Sequence, residues 1–161
     1  MQKGVDFIGV SVSYFCHDGK GNYLFQKRGS GARDENGKWD CGGGGLEFGQ
    51  TVEECLKAEV KEEYCADILD SEFIGYYEAF RTIKTQNPSP QGGPLPLEKG
   101  EGKPTHWIAL HFKVLVDPKQ VKNGEPHKFD EIKWFRLDNL PPASELHSQL
   151  PAEIERYRGK L

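Results

Sequence analysis

The sequence predicts an α/β (α+β) fold in which a mixed central β-sheet lies between helices. Three observations carry that expectation: several short segments rich in aromatic and branched residues, one strongly marked helix in mid-chain, and a second helical segment near the end. The 161 residues suit one compact domain spanning 1–161, with no internal repeat and no linker to divide it. Hydrophobic residues at 36% and charged residues at 29% point to a globular chain rather than a disordered one. No apolar run approaches the ~20 residues of a bilayer span. The N-terminal MQKGVDFIGV has no basic start followed by an apolar signal core, so cytoplasmic residence without a membrane partner is expected.

Residues 7–15, FIGVSVSYF, alternate apolar with small or polar side chains, the period of a half-buried strand. HDGKGN at 17–22 reads as a turn, and YLFQK at 23–27 as the next strand. RGSGARDENGK then forms a polar loop carrying Arg28, Arg33 and Lys38. Four consecutive glycines at 42–45 precede the helix. Thr51 followed by Glu54 is a capping-box signal, and Val52, Cys55, Leu56, Ala58 and Val60 recur at helical spacing, which predicts a helix over 52–64.

FIGYYEAFR at 73–81 and WIALHFKVLV at 107–116 predict two further strands. Between them, 84–104 is too rich in Pro and Gly for a helix or a central strand, and reads as a loop insertion or a substrate lid. EIKWFRL at 131–137 predicts the last strand, LPP at 140–142 a turn, and 151–160 a terminal helix.

Composition also excludes several functions. The four cysteines contain no Cys-x-x-Cys pair and the five histidines show no zinc-like spacing, which argues against a zinc site or a disulfide framework. A net charge of -4 disfavours a surface for long nucleic acid, while a small anionic nucleotide can still bind through a metal.

Glu59, Glu62 and Glu63 fall at i, i+3 and i+4, so their carboxylates share one helical face. Each like-charge neighbour costs roughly 0.2–0.5 kcal/mol on an isolated helix. They also lie toward the C-terminal end, where the macrodipole favours cations. A hard divalent cation would remove both penalties, because magnesium takes oxygen ligands from a few carboxylates, waters and phosphates. Taken alone, EVKEE also reads as a solvated acidic face balanced by Lys57 and Lys61.

The surrounding sequence bears on that choice. GGLEFGQTVEECLKAEVKEEYCA, at 44–66, resembles the box of the Nudix (MutT-like) family: Gly, five residues, Glu, seven residues, then R-E-U-x-E-E-x-G-U, with U aliphatic. Gly44, Glu59, Val60, Glu62 and Glu63 fall on box positions, and Gly43, Glu47 and Gly49 match the commoner GGxxExG form of its loop. The first strand, QKR at the end of the second, GKWD before the glycines and the late WFRLDNLPP also look like their counterparts in the family. Three positions depart from it: Gln50, Ala58 and Cys65 stand where the family has Glu, Arg and Gly. In the family the Glu and Arg support one another and help orient the metal-binding glutamates. Losing both leaves neither charge unpaired but weakens that support, so a slow enzyme is one expectation.

The resemblance implies an α/β/α sandwich and metal-assisted hydrolysis of a nucleoside diphosphate linkage, with magnesium as cofactor and manganese as its substitute. It implies that Glu59, Glu62 and Glu63 hold the metal, that the Gly44 carbonyl adds a ligand, that Glu125, in a Gly-Glu-Pro context, is a fourth ligand or the general base, and that one box glutamate is the alternative base. Asp130 and Glu131 are its substitutes if the loop register differs. Arg28 and Arg33 are candidates to clamp phosphate oxygens, against the plainer readings of a strand-end rim residue and a solvated loop charge. Gly43, Gly44, Glu47 and Phe48 complete the candidate substrate-binding set. Trp39, Phe48, Trp107 and Trp134 can stack on a base or fill the core, with the core expected for Trp107 and Trp134.

The expected substrate is a small nucleotide, with the protein a monomer or homodimer. Near 81–84 the chain lacks both the proline of ADP-ribose-cleaving relatives and the tyrosine of diadenosine-polyphosphate relatives. That leaves a (deoxy)nucleoside triphosphate, cleaved to monophosphate and pyrophosphate in housecleaning of the pool, as the preferred substrate. The alternatives are a catalytically weak nucleotide-binding sensor, or a pyrophosphatase acting on a nucleotide sugar, dinucleotide or capped RNA.

Overall fold

The computed structural model describes residues 1–32, 35–84, 95–96 and 103–161. Alternation along one central strand organises the fold. Strand β1 (Gly9–His17) sends Val12, Tyr14 and Cys16 toward one side and Phe15 toward the other, and all four are buried. The expected half-buried strand is therefore covered on both faces and sits two residues further along, leaving Phe7 and Ile8 exposed. Its long neighbour β7 (Lys103–Val116) runs parallel to it from Gly9↔Trp107 to His17↔Leu115. Strand β5 (Ile68–Lys84) pairs antiparallel with β7 on the other side, with irregularities at Ile68/Asp70 and Phe73/Gly75. The sheet is mixed, as expected.

The second strand, β2 (Asn22–Arg28), touches β1 only at His17↔Tyr23 and then turns away to pair with β3 (Trp39–Asp40) and β8 (Phe129–Arg136). The gap it leaves beside β1 is filled by the glycine run, which forms β4 (Gly42–Gly45) in register from Ser11↔Gly45 to Tyr14↔Gly42. No strand was expected there, because glycine has low β propensity and no alternation to read.

Helix α1 (Val52–Tyr64) matches its expected bounds. Thr51 accepts from the Glu54 N–H while Glu54 accepts from the Thr51 N–H, which closes the capping box and satisfies two orphan donors. Cys55, Leu56, Val60 and Tyr64 pack onto Val12, Tyr14, Cys16, Val114 and Val116. On the opposite face, Leu150, Ile154 and Tyr157 of α2 (Leu150–Tyr157) pack with Phe15, Phe25, Trp39 and Ile74. The sheet thus lies between two helices.

Both long strands exceed their expected bounds, and β7 includes Lys103 and Pro104 from the end of the 84–104 segment. Within that segment Leu95–Pro96 forms a short strand, β6, against Ile83 and Lys84. The rest of the expected loop insertion lies outside the described residues, as does Arg33.

Candidate active site

Three segments meet at the C-terminal half of α1. The first is the helix itself, where Glu59 is half-buried, Glu62 exposed and Glu63 buried. The second is β4, whose backbone approaches so closely that a Cβ on Gly44 would sit 1.9 Å from the Glu59 carboxyl carbon. Any side chain there would displace the Glu59 carboxyl, so the box glycine leaves that carboxyl its place beside the β4 backbone. The third is the loop carrying Glu125. Gly124 N–H donates to the Glu63 carbonyl at 2.9 Å and Lys122 N–H to the Tyr64 carbonyl at 3.0 Å, so carbonyls left open by the helix end fasten the loop. A Cβ on Gly124 would meet the Glu62 carbonyl oxygen at 1.9 Å.

Charge at this junction is unbalanced toward the negative. The Glu59 carboxyl is held above its ordinary pKa first by burial and then by Glu62, with Lys128 opposing and Glu125 and Glu47 adding to the rise. Lys128 Nζ lies 2.6 Å from Glu125 Oε1 and is a cation of the site that the sequence did not single out. Glu63 is pushed to about 8 by burial, against the hydrogen bond from Tyr14 and with Glu59 raising it further. Its Oε2 accepts from the Tyr14 hydroxyl and, at 3.2 Å, from Gly43 N–H, and its Oε1 accepts from Gln26 Nε2 at 3.4 Å. Tyr14 and Gln26 were also missed, because nothing local in a strand marks which residue will face a helix glutamate.

Arg28 pairs with Asp40 at 3.0 Å, and both are largely buried. That ion pair is the nearer account of Arg28 than a phosphate clamp. Glu47 pairs with Lys3 at 2.8 Å, and Lys3 also donates to the Leu46 carbonyl, so the N-terminal segment braces the box loop. Phe48 is fully exposed beside it, while Trp39 is a core residue, edge-on to Phe135. Trp107 is half-buried, its ring lying close against Gly4 and Gly9, and Trp134 is half-buried and packs on the α1 core. Asp130 and Glu131 lie on exposed positions of β8 rather than in the loop that meets α1.

Two of the three departures from the family box, Gln50 and Cys65, have a local counterpart in the structure. Gln50 Oε1 accepts the Glu47 N–H at 3.1 Å and closes the box loop. Ala58 leaves no side chain beyond Cβ. Cys65 caps α1 in the left-handed region at φ 56°, the conformation that explains a glycine at this position.

Residues 8–156 match the model of the NUDIX domain. The chain belongs to the Nudix hydrolase family. Among curated relatives, this Nudix hydrolase is 26% identical over 117 residues to the NAD-capped RNA hydrolase NudC of Stutzerimonas stutzeri, covering 73% of this chain but only 34% of that protein. It spans about a third of that relative's length. It is 27% identical over 120 residues to the nucleoside triphosphatase NudI of Escherichia coli, covering 74% and 77% of the two chains. Its fold superimposes on the MutT NUDIX hydrolase of Burkholderia pseudomallei with a TM-score of 0.68 at 20% identity, covering 93% and 98%. Among the described residues no helix is long and apolar enough to cross a membrane.

Whether these residues suit a metal is a question of donors. Glu59, Glu62, Glu125 and the Gly44 carbonyl are all oxygen donors, the chemistry that magnesium prefers. Among the described residues no three His, Cys, Asp or Glu side chains form a cage by themselves. An ion on these donors would complete its shell with water and phosphate oxygens.

Proposed function

We propose that this Nudix hydrolase performs metal-dependent hydrolysis of a nucleoside diphosphate linkage, with a (deoxy)nucleoside triphosphate giving monophosphate and pyrophosphate. The observation that carries the reading is the junction where the Glu59–Glu62 face, the Gly44 backbone and the Glu125 loop meet. A bound magnesium would neutralise phosphate charge and lower the pKa of its water there. Glu59, Glu62, Glu63 and Glu125, with the Gly44 carbonyl, are the groups that would hold it. Glu125, or whichever of the helix glutamates does not coordinate the ion, would accept a proton from the attacking water. Lys128 neutralises Glu125 and stands ready to meet a phosphate oxygen. Gly43, Glu47 and the exposed Phe48 are the groups we assign to the approach of the substrate. We place the reaction in the cytoplasm, with no membrane or long nucleic acid as partner.

Support for the triphosphate comes from the similarity to NudI, and a capped or dinucleotide pyrophosphate is the second reading because of the similarity to NudC. Gln50 and Ala58 favour a slow enzyme within either. Phosphate and pyrophosphate release should be measured with magnesium over a panel of nucleoside triphosphates, dinucleotides and capped oligonucleotides. The triphosphates are expected to turn over fastest, with Glu62→Gln lowering kcat at least about 10-fold. Unchanged turnover in Glu62→Gln would remove the metal site, and exclusive cleavage of the capped substrate would replace the first reading by the second. Nucleotide binding without turnover would identify a sensor.

A further inference from the structure

We propose that Tyr14 and Gln26 are the positioning residues of Glu63, doing from strands β1 and β2 what a charged box pair would do from the loop and the helix. The inference rests on the metal-binding reading above and names the groups that hold one of its carboxylates in place. Ala58 has no side chain with which to reach a glutamate, and Gln50 is engaged with the Glu47 N–H. Glu63 is nonetheless the most restrained carboxylate of the helix, 4% exposed and held on both oxygens.

The holding groups are themselves fixed. Tyr14 is fully buried, with Tyr64 set edge-on at 6.1 Å, so its hydroxyl has no freedom to swing. Gly42, paired with Tyr14 across β1 and β4, has no Cβ. One there would fall 2.1 Å from the Tyr14 ring and 2.7 Å from Glu63 Oε2. Gln26 is 2% exposed, and its Nε2 donates both to Glu63 and to the Cys41 carbonyl at 3.3 Å. Its Oε1 finds no partner among the described residues.

An apolar side chain would fill that position without burying an orphan carbonyl oxygen, so core packing alone does not account for a glutamine there. A carboxylate offers about four acceptor sites. Tyr14, Gly43 and Gln26 occupy three, two of them on Oε2, which leaves Oε1 the freer oxygen for a cation. Neutral donors suit such a role, because they orient the carboxylate without cancelling the charge that a metal must meet.

The inference is tested by titrating Mn2+ into the nucleotide-free protein, followed by electron paramagnetic resonance, for wild type, Glu63→Gln, Tyr14→Phe, Gln26→Met and Tyr64→Phe. Tyr14→Phe and Gln26→Met are expected to weaken Mn2+ binding about 10- to 100-fold. The magnesium concentration for half-maximal turnover should rise in parallel. Tyr64→Phe deletes a buried hydroxyl with no partner among the described residues and should leave affinity within about twofold. If Tyr14→Phe does not fold, Gln26→Met tests the same carboxylate from its other oxygen. Affinity unchanged in Gln26→Met and in any folded Tyr14→Phe, while Glu63→Gln weakens it, overturns the positioning role and leaves the metal site standing. A wild type that binds no Mn2+, or a Glu63→Gln that binds as wild type does, overturns the metal reading itself.

Discussion

At the scale of single residues, burial decides what each glutamate can do. Glu59, Glu62 and Glu63 share one helical face, yet one is half-buried, one exposed and one enclosed. Glu63, raised from 4.5 to about 8, binds its proton more tightly in the folded chain than in the unfolded one. Its contribution to stability is complete below pH 4.5 and is lost as pH rises toward about 8. The thermal midpoint of chelator-treated protein should therefore fall across that window, with a shallower fall in Glu63→Gln. Equal slopes in the two proteins would show that Glu63 does not carry the effect. Cys65 is a second case. Its φ of 56° costs a side chain about 1–2 kcal/mol, part of which glycine returns as chain entropy. Cys65→Gly should gain about 1 kcal/mol in urea unfolding.

Among the elements, the contact that matters most for the site is between the end of α1 and the 122–125 loop. Two helix carbonyls and two loop N–H groups satisfy one another, and Glu125 is carried to Glu59 as a result. Gly124→Ala would drive a Cβ into the Glu62 carbonyl, and a backbone atom cannot swing aside. The loop must lift. We expect a loss of about 1–3 kcal/mol in unfolding experiments, accompanied by weaker Mn2+ binding. An alanine variant with wild-type metal affinity would show that the loop does not contribute a ligand. The helix N-terminus was legible in advance, because Thr51 and Glu54 are local in sequence and their hydrogen bonds close within one turn. The loop contact was not, because it joins residues about sixty positions apart.

Over the whole molecule, the sheet separates two cores, one beneath α1 and the site, the other beneath α2. Helix α2, with Ile154 buried at its centre, is tied to β5 by Arg156 on the Tyr76 carbonyl, and the segment after it by Lys160 on the Ile74 carbonyl. Ile154→Ala should cost about 2–5 kcal/mol by chemical denaturation while sparing metal affinity in the folded fraction. Equal loss of both would mean that the cores are coupled through the sheet. By itself the sequence determined the mixed fold, the bounds of α1 and the glutamate face, because hydrophobic period, capping residues and box spacing are short-range and survive in one dimension. Only the tertiary structure decided that the glycines form a strand, that Arg28 is paired with Asp40, and that Tyr14 and Gln26 enclose Glu63. Those outcomes depend on which strands become neighbours and in what register, and a carboxylate's partners, burial and proton affinity follow from that arrangement.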